Sequence, residues 1–172
     1  MTSALTIRST DGLALEAQLD GEGTGATVVL CHPHPQMGGT MNAPLLLALR
    51  DSLVAQGRRV LRFNFRGIGG SEGTSGTGDD EVNDARGAIE AARDLGEGPI
   101  VVAGWSFGAA VAIRVAATED VAACVAIAPP IASKEGVTAG TAGAVPQAPT
   151  LVVVGANDRQ VSPAECRDWA ER

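Results

Sequence analysis

The chain has 172 residues, 45% of them hydrophobic and 19% charged, which is enough apolar material for one domain with a sizeable core. A formal net charge of −7 without any basic run argues against nucleic acid or an acidic membrane surface as a partner. The longest apolar runs stop short of a membrane span, and MTSALTIRSTDG lacks the basic-then-apolar pattern of a secretory leader. Cys31, Cys124 and Cys166 form an odd set with no metal-ligand spacing. The first two fall in apolar runs and read as small buried hydrophobes, so a reducing cytoplasm is the expected location.

Residues 4–9 and 13–20 flank the turn signal TDG and read as an opening hairpin. ATVVLC (26–31) is a short buried strand, followed by the irregular loop HPHPQMGGT. A helix is expected over residues 42–56, with Asn42 as its cap and Pro44 early enough to be tolerated. RRVLRFNF (58–65) is the next strand, and RGIGGSEGTSGTG is a glycine-rich loop. Val82, Ala85, Ile89 and Ala92 recur at helical spacing over residues 79–95, and acids crowd the start of that segment as the helix dipole prefers. PIVVAGW (99–105), VAACVAIA (121–128) and TLVVVG (150–155) read as further strands. A helix over 107–119 follows the first of these, and Ser162 with Pro163 opens a final helix. Strands alternating with helices define an α/β domain with a mostly parallel, doubly wound sheet opened by an antiparallel hairpin. Residues 1–172 read as a single domain without repeats. Reactive groups in such sheets collect at the carboxyl ends of the strands.

The pattern G-x-S-x-G occurs twice, as GWSFG (104–108) and GGSEG (69–73), so the pattern alone carries little. Context separates the two. A nucleophilic serine needs a strand running into a sharp turn and then a helix whose N-terminus faces the hydroxyl. The segment around Ser106 has that order, whereas GGSEG sits among more Gly, Ser and Thr and reads as a flexible loop. Asp158, three residues beyond a later strand, supplies a carboxylate in the chain order Ser, then Asp, of α/β-hydrolase triads. Acyl transfer also needs two N–H groups aimed at the developing oxyanion. Phe107 follows the serine and offers one. In HPHP neither Pro33 nor Pro35 has an N–H, which leaves the main chain of His34 for the other. Arg66 and Glu72 are expected to fix the glycine-rich loop near the rim of the site, and His32 to shape the loop beside Ser106.

Taken together, LCHPHPQMGGTMN, RVLRFNFRGIGGSEG, VAGWSFGAAVA, IAPP and VVGANDRQVSP resemble a group of small bacterial α/β-hydrolases without a cap. These are relatives of the dienelactone hydrolases and of serine peptidases, and the resemblance runs from Leu5 to Trp169. It implies an α/β-hydrolase fold with Ser106 as nucleophile, Asp158 as acid, and an oxyanion hole made by the His34 and Phe107 main-chain N–H groups. It implies no cofactor and no metal. Only about 20 residues separate IAPP from TLVVV, which leaves no room for a lid domain and implies an open site for small acyl substrates. In the family a further strand and a loop carrying the catalytic histidine come after the helix that holds Trp169. The sequence ends at Arg172 without them, so it reads as a C-terminally truncated member, inactive or weak in this form.

The only histidines are His32 and His34, on the oxyanion side of Ser106, where a base bridging to Asp158 is not expected. As a metal pair they have no third ligand nearby. The glycine-rich loop has neither the Lys-Ser/Thr of a phosphate loop nor G-x-G-x-x-G spacing. Two functions follow as expectations. The first is a serine hydrolase of esterase type acting on a small-molecule ester, lactone or thioester. The second is a non-catalytic ligand-binding or interaction module on the same fold. Loss of a final strand would also leave TLVVVG as an exposed apolar edge suited to forming a homodimer.

Overall fold

The computed structural model describes residues 1–131 and 143–171. Among them the chain forms seven strands: β1 (Thr2–Arg8), β2 (Ala14–Asp20), β3 (Thr27–Cys31), β4 (Arg59–Phe63), β5 (Ile100–Trp105), β6 (Ala123–Ile127) and β7 (Thr150–Val153). Four helices accompany them: α1 (Pro44–Ala55), α2 (Asp79–Asp94), α3 (Phe107–Ala116) and α4 (Pro163–Ala170). The strands make one sheet in the order β1-β2-β4-β3-β5-β6-β7. β1 pairs antiparallel with β2, and β2 antiparallel with β4; every other pairing is parallel. This is the α/β-hydrolase type of sheet with its opening hairpin, as the sequence pattern implies.

β3 and β5 are covered on both faces, which is why they read as nearly continuous apolar runs. All five residues of β3 are buried, and they alternate between two cores. Val28 and Leu30 pack with Leu46, Val60 and Ala103 beneath α1. Val29 and Cys31 face the larger core, built with α2, α3 and, through Cys166 and Trp169, α4. The helical stripe read from the sequence is the buried face of α2: Val82, Ala85, Ile89 and Ala92 all lie in that core. Removing a side chain such as Ile89 from water contributes about 1.5–3 kcal/mol.

The winding order decides where a site can form. From β3 the chain passes through α1 to β4 on one side, and from β5 it passes through α3 to β6 on the other. β3 and β5 are neighbours, so the loops leaving their carboxyl ends diverge to opposite faces and open a crevice between them. Those two loops carry HPHP and Ser106.

Three local expectations need correction. α1 is capped by Ala43, without a side-chain bond, rather than by Asn42. The Asn42 side chain instead accepts from Arg62 Nη1 at 2.8 Å, a buried guanidinium that needs the acceptor more than a solvent-facing helix end does. β4 ends at Phe63 rather than at residue 65; just beyond it the Asn64 side chain accepts the Met41 N–H and donates to Glu16, both at 2.8 Å. GGSEG is no loose loop: Ser71 is buried, its hydroxyl donating to the Asn64 carbonyl at 2.7 Å and accepting the Glu16 N–H at 3.0 Å. The final helix does start as expected, with Ser162 Oγ accepting the Glu165 N–H and Pro163 at the first position. The segment too short for a lid lies partly outside the described residues. Among the described residues no helix is long and apolar enough to cross a membrane.

Candidate active site

Ser106 is the single residue between β5 and α3, with φ 54° and ψ −119°. A non-glycine residue at positive φ costs about 1–3 kcal/mol and persists only where the surroundings enforce it. Here the Ser106 N–H donates to the Ile127 carbonyl at 2.8 Å, and the Ser106 carbonyl accepts the Ala109 and Ala110 N–H groups at 2.9 and 3.1 Å. The flanking glycines answer to close packing. A Cβ on Gly104 would collide with the Gly108 carbonyl, and one on Gly108 with the carbonyls of Cys31 and His32. The turn therefore has the geometry of a nucleophile elbow, pressed against the end of β3.

The loop after β3 is equally determined. Pro35–Met37 is a single 3₁₀ turn, and the His34 carbonyl accepts from the Met37 and Gly39 N–H groups at 3.0 and 3.1 Å. At the start of α3 the Phe107 N–H, in the first turn, has no intrahelical acceptor. The His34 ring lies against the Phe107 ring, with centroids 5.0 Å apart.

The two histidines have separate fates. His32 is fully buried, edge-on to Phe65, and both its nitrogens are used: Nδ1 donates to the Pro33 carbonyl at 2.7 Å, and Nε2 accepts the Phe65 N–H at 3.0 Å. Burial pushes its pKa down to about 4, so it stays neutral and has no lone pair left for a serine proton. His34 lines the cavities at Ser106, but its Nδ1 accepts the Gln36 N–H at 3.2 Å. The neutral ring then carries its proton on Nε2, which is the wrong tautomer for a base reaching Ser106 through that atom.

Asp158 stands in the turn after β7, half-exposed. Its Oδ1 accepts the Gln160 and Val161 N–H groups at 2.8 and 3.0 Å, and these two bonds hold its pKa below the ordinary carboxylate value. An open cleft of about 530 Å³ is lined by both Asp158 and Ser106, along with His34 and Ala128. A neighbouring cavity of about 320 Å³ shares Ser106 and His34 and runs between Met37, Pro130, Ile131 and Val161. Arg159, Gln160 and Glu165 add polar groups at its edge.

The structure thus brings Ser106, His34 and Asp158 to one depression, with Phe107 directly behind. It does not bring Arg66 there. Arg66 is buried and donates to both carboxylate oxygens of Asp84, at 2.7–3.2 Å, and to Asp11. Glu72 ties the same loop to the hairpin, accepting the Ala14 N–H at 2.8 Å. Both residues secure the glycine-rich loop as expected, but against α2 and the hairpin rather than at the rim. A guanidinium with two carboxylates within reach is drawn to them. The wall formed by Met37, Pro130, Ile131 and Val161 went unread in the sequence, because isolated apolar residues in loops show no period. Met37, 73% exposed at the cavity mouth, is the one with a signal: a large apolar side chain between a proline turn and two glycines has no core to enter.

Fold and site together define an α/β-hydrolase, and the chain belongs to that family: the alpha/beta hydrolase family model matches residues 28–172. Among curated proteins it is similar to the uncharacterized protein RP471 of Rickettsia prowazekii, 31% identical over 91% of this chain and 69% of that protein. Among solved structures it is similar to XC6422 of Xanthomonas campestris, an α/β serine hydrolase without a lid. That likeness has a TM-score of 0.86 and 32% identity, and covers 99% of this chain and 78% of the other. An α/β serine hydrolase homologue from Coxiella burnetii matches with a TM-score of 0.84 and 32% identity over 99% and 81%. The Pyrococcus furiosus esterase Pf2001, 23% identical over 99% of this chain and 77% of its own, shares the fold with a TM-score of 0.86.

Proposed function

We propose that this chain carries the nucleophile, acid and oxyanion site of a serine hydrolase of esterase type acting on small acyl substrates. The observation that carries the reading is Ser106 at φ 54° between β5 and α3, in a cavity that Asp158 also lines. Ser106 Oγ attacks the carbonyl carbon as its proton passes to a base. The His34 and Phe107 main-chain N–H groups hold the oxygen that gains charge. The alcohol leaves with a proton, and water then releases the acyl group from the serine. Met37, Pro130, Ile131 and Val161 suit a short apolar acyl group. The likeness to a serine hydrolase without a lid supports an open site.

The base is a histidine held between Ser106 and Asp158, and neither His32 nor His34 suits that place. With neither ring in that place, Ser106 keeps only the residual catalysis of binding and the oxyanion site, so turnover is slow. Three unpaired, buried cysteines suit a cytoplasmic setting. At the sheet edge, β7 leaves Leu151 and Val153 exposed with no charged residue in the strand, which supports a homodimer joined edge to edge.

The test uses the 172-residue chain with p-nitrophenyl butyrate and a fluorophosphonate probe, with and without free imidazole as a substitute base. Slow labelling that imidazole accelerates and Ser106→Ala abolishes supports the reading. If imidazole rescues nothing and Ser106 stays unlabelled, the chain is instead a non-catalytic ligand-binding module.

A further inference from the structure

One polar atom at the cavity has no task in the scheme above: Nε2 of His34. The Gln36 N–H pointing at Nδ1 puts the proton of the neutral ring on Nε2. The residue is only 8% exposed, its ring is held against Phe107, and it lines both cavities that contain Ser106. Among the described residues Nε2 has no protein acceptor, and it is not one of the buried side-chain atoms left without a partner. The ring that carries it shares the walls of both cavities with Ser106. Sequence reasoning gave His34 a main-chain role only, because the two prolines of HPHP make that residue the sole N–H donor of the tetrapeptide's second half.

We propose that His34 also acts through its side chain, donating Nε2–H to the carbonyl oxygen of an acyl substrate beside the His34 and Phe107 main-chain N–H groups. This deepens the hydrolase reading and rests on it for its rate prediction. The ring keeps its proton throughout; it contributes a fixed dipole where negative charge grows, and moves nothing. Its orientation is set in advance by the Gln36 N–H on one edge and the Phe107 ring on one face. An oxyanion donor needs that kind of preorganisation. His32, two residues earlier, is an internal control: its Nδ1 donates to Pro33 and its Nε2 accepts from Phe65, the opposite tautomer.

Uniformly ¹⁵N-labelled protein contains only these two imidazoles, so a two-bond ¹H–¹⁵N correlation spectrum reads both. The expected result is a protonated Nε2 with a bare Nδ1 for His34, and the reverse for His32. Adding p-nitrophenyl butyrate to the Ser106→Ala protein should move the His34 Nε2 signal and leave His32 still. In turnover, His34→Phe keeps a ring against Phe107 but has no donor. It should lower kcat roughly 10²-fold with KM within about twofold, and His34→Gln, whose amide reaches the place of Nε2, should restore about tenfold. The proposal is overturned by a proton on Nδ1 of His34, by an Nε2 signal that saturating ester does not move, or by wild-type kcat in His34→Phe. If the wild-type chain neither turns over ester nor labels even with free imidazole, the hydrolase reading fails, while the tautomer and the ester titration still decide the role of the ring.

Discussion

His32 and Phe65 are joined by a hydrogen bond of 3.0 Å in which the Phe65 main-chain N–H donates to the imidazole Nε2. It fastens the loop after β3 to the chain leaving β4, two segments 33 residues apart, and it works only while the ring is neutral. Burial lowers the ring's pKa from the ordinary 6.5 to about 4. Between those values the unfolded chain binds a proton at His32 and the folded chain does not, so stability falls as pH drops through the window. The loss attributable to this ring approaches about 3 kcal/mol at the acid end. His32→Phe removes the titration but leaves the Phe65 N–H buried and unpaired, which costs about 1–3 kcal/mol at pH 7. Urea denaturation of both proteins at pH 7, 5.5 and 4.5 should show the gap between them closing as pH falls. A constant gap would mean that His32 is not the buried neutral group described.

The Ser106 backbone makes a second prediction that is independent of any catalytic assay. At φ 54° serine and alanine are equally strained, and glycine is not. Ser106→Gly should therefore be more stable than Ser106→Ala by about 1 kcal/mol, the strain relieved less the greater freedom of glycine in the unfolded chain. Both variants should lose fluorophosphonate labelling. Thermal unfolding of the two, compared side by side, checks the ordering.

The sheet, its hairpin and most helices were legible because their signals are local and periodic. Val82, Ala85, Ile89 and Ala92 needed only a 3.6-residue period to be placed on one buried face. The elbow was legible because a strand, Gly104, Ser106, Gly108 and a helix occur in one continuous stretch. What escaped was pairing across the chain. Nothing near Arg66 in sequence announces Asp84, 18 residues away, or Asp11, 55 residues away. Asn42 resembled a cap until Arg62, from β4, claimed its oxygen. Ser71 and Ser106 share a motif, yet one hydroxyl is consumed by Asn64 and Glu16 and the other opens on a cavity. Choices of that kind depend on which groups the fold brings together, and no window of sequence contains both partners.

The edge strand makes a prediction about association. Leu151 and Val153 are 58% and 46% exposed, and β7 pairs only with β6 among the described residues. An uncharged apolar edge offers unpaired N–H and C=O groups to a like strand, and two copies can meet antiparallel about a twofold axis. Sedimentation velocity of the 172-residue chain over a range of concentrations should show reversible self-association. Leu151→Lys with Val153→Lys should shift it to monomer without altering Ser106 labelling, because the charges add repulsion at the edge alone. A wild-type chain that stays monomeric at high concentration would refute the homodimer.

The Arg66–Asp84 pair tests whether the glycine-rich loop serves the site or the fold. Asp84 is fully buried, and desolvation pushes its pKa above the ordinary value even with the guanidinium donating to both oxygens. Arg66 is in turn held strongly protonated by Asp84 and Asp11. Breaking the pair forfeits the Coulomb attraction and leaves Asp84 to bear its burial penalty alone. For a pair this buried the second dominates, so Arg66→Met should destabilise by about 3–5 kcal/mol. Removing the stranded carboxylate as well should reverse part of that loss, because apolar groups of similar volume often match a buried ion pair in stability. The recovery is partial because the Arg66 main-chain N–H loses its 2.9 Å bond to Asp84 Oδ2. Asp11, 40% exposed, keeps its contact with water in either variant and needs no replacement. Equilibrium denaturation of Arg66→Met and of Arg66→Met with Asp84→Leu should therefore show the double variant as the more stable. Labelling of Ser106 per folded molecule should be unchanged in both, since Arg66 lines neither cavity at the serine. If the single variant instead lost labelling while remaining folded, Arg66 would belong to the site after all.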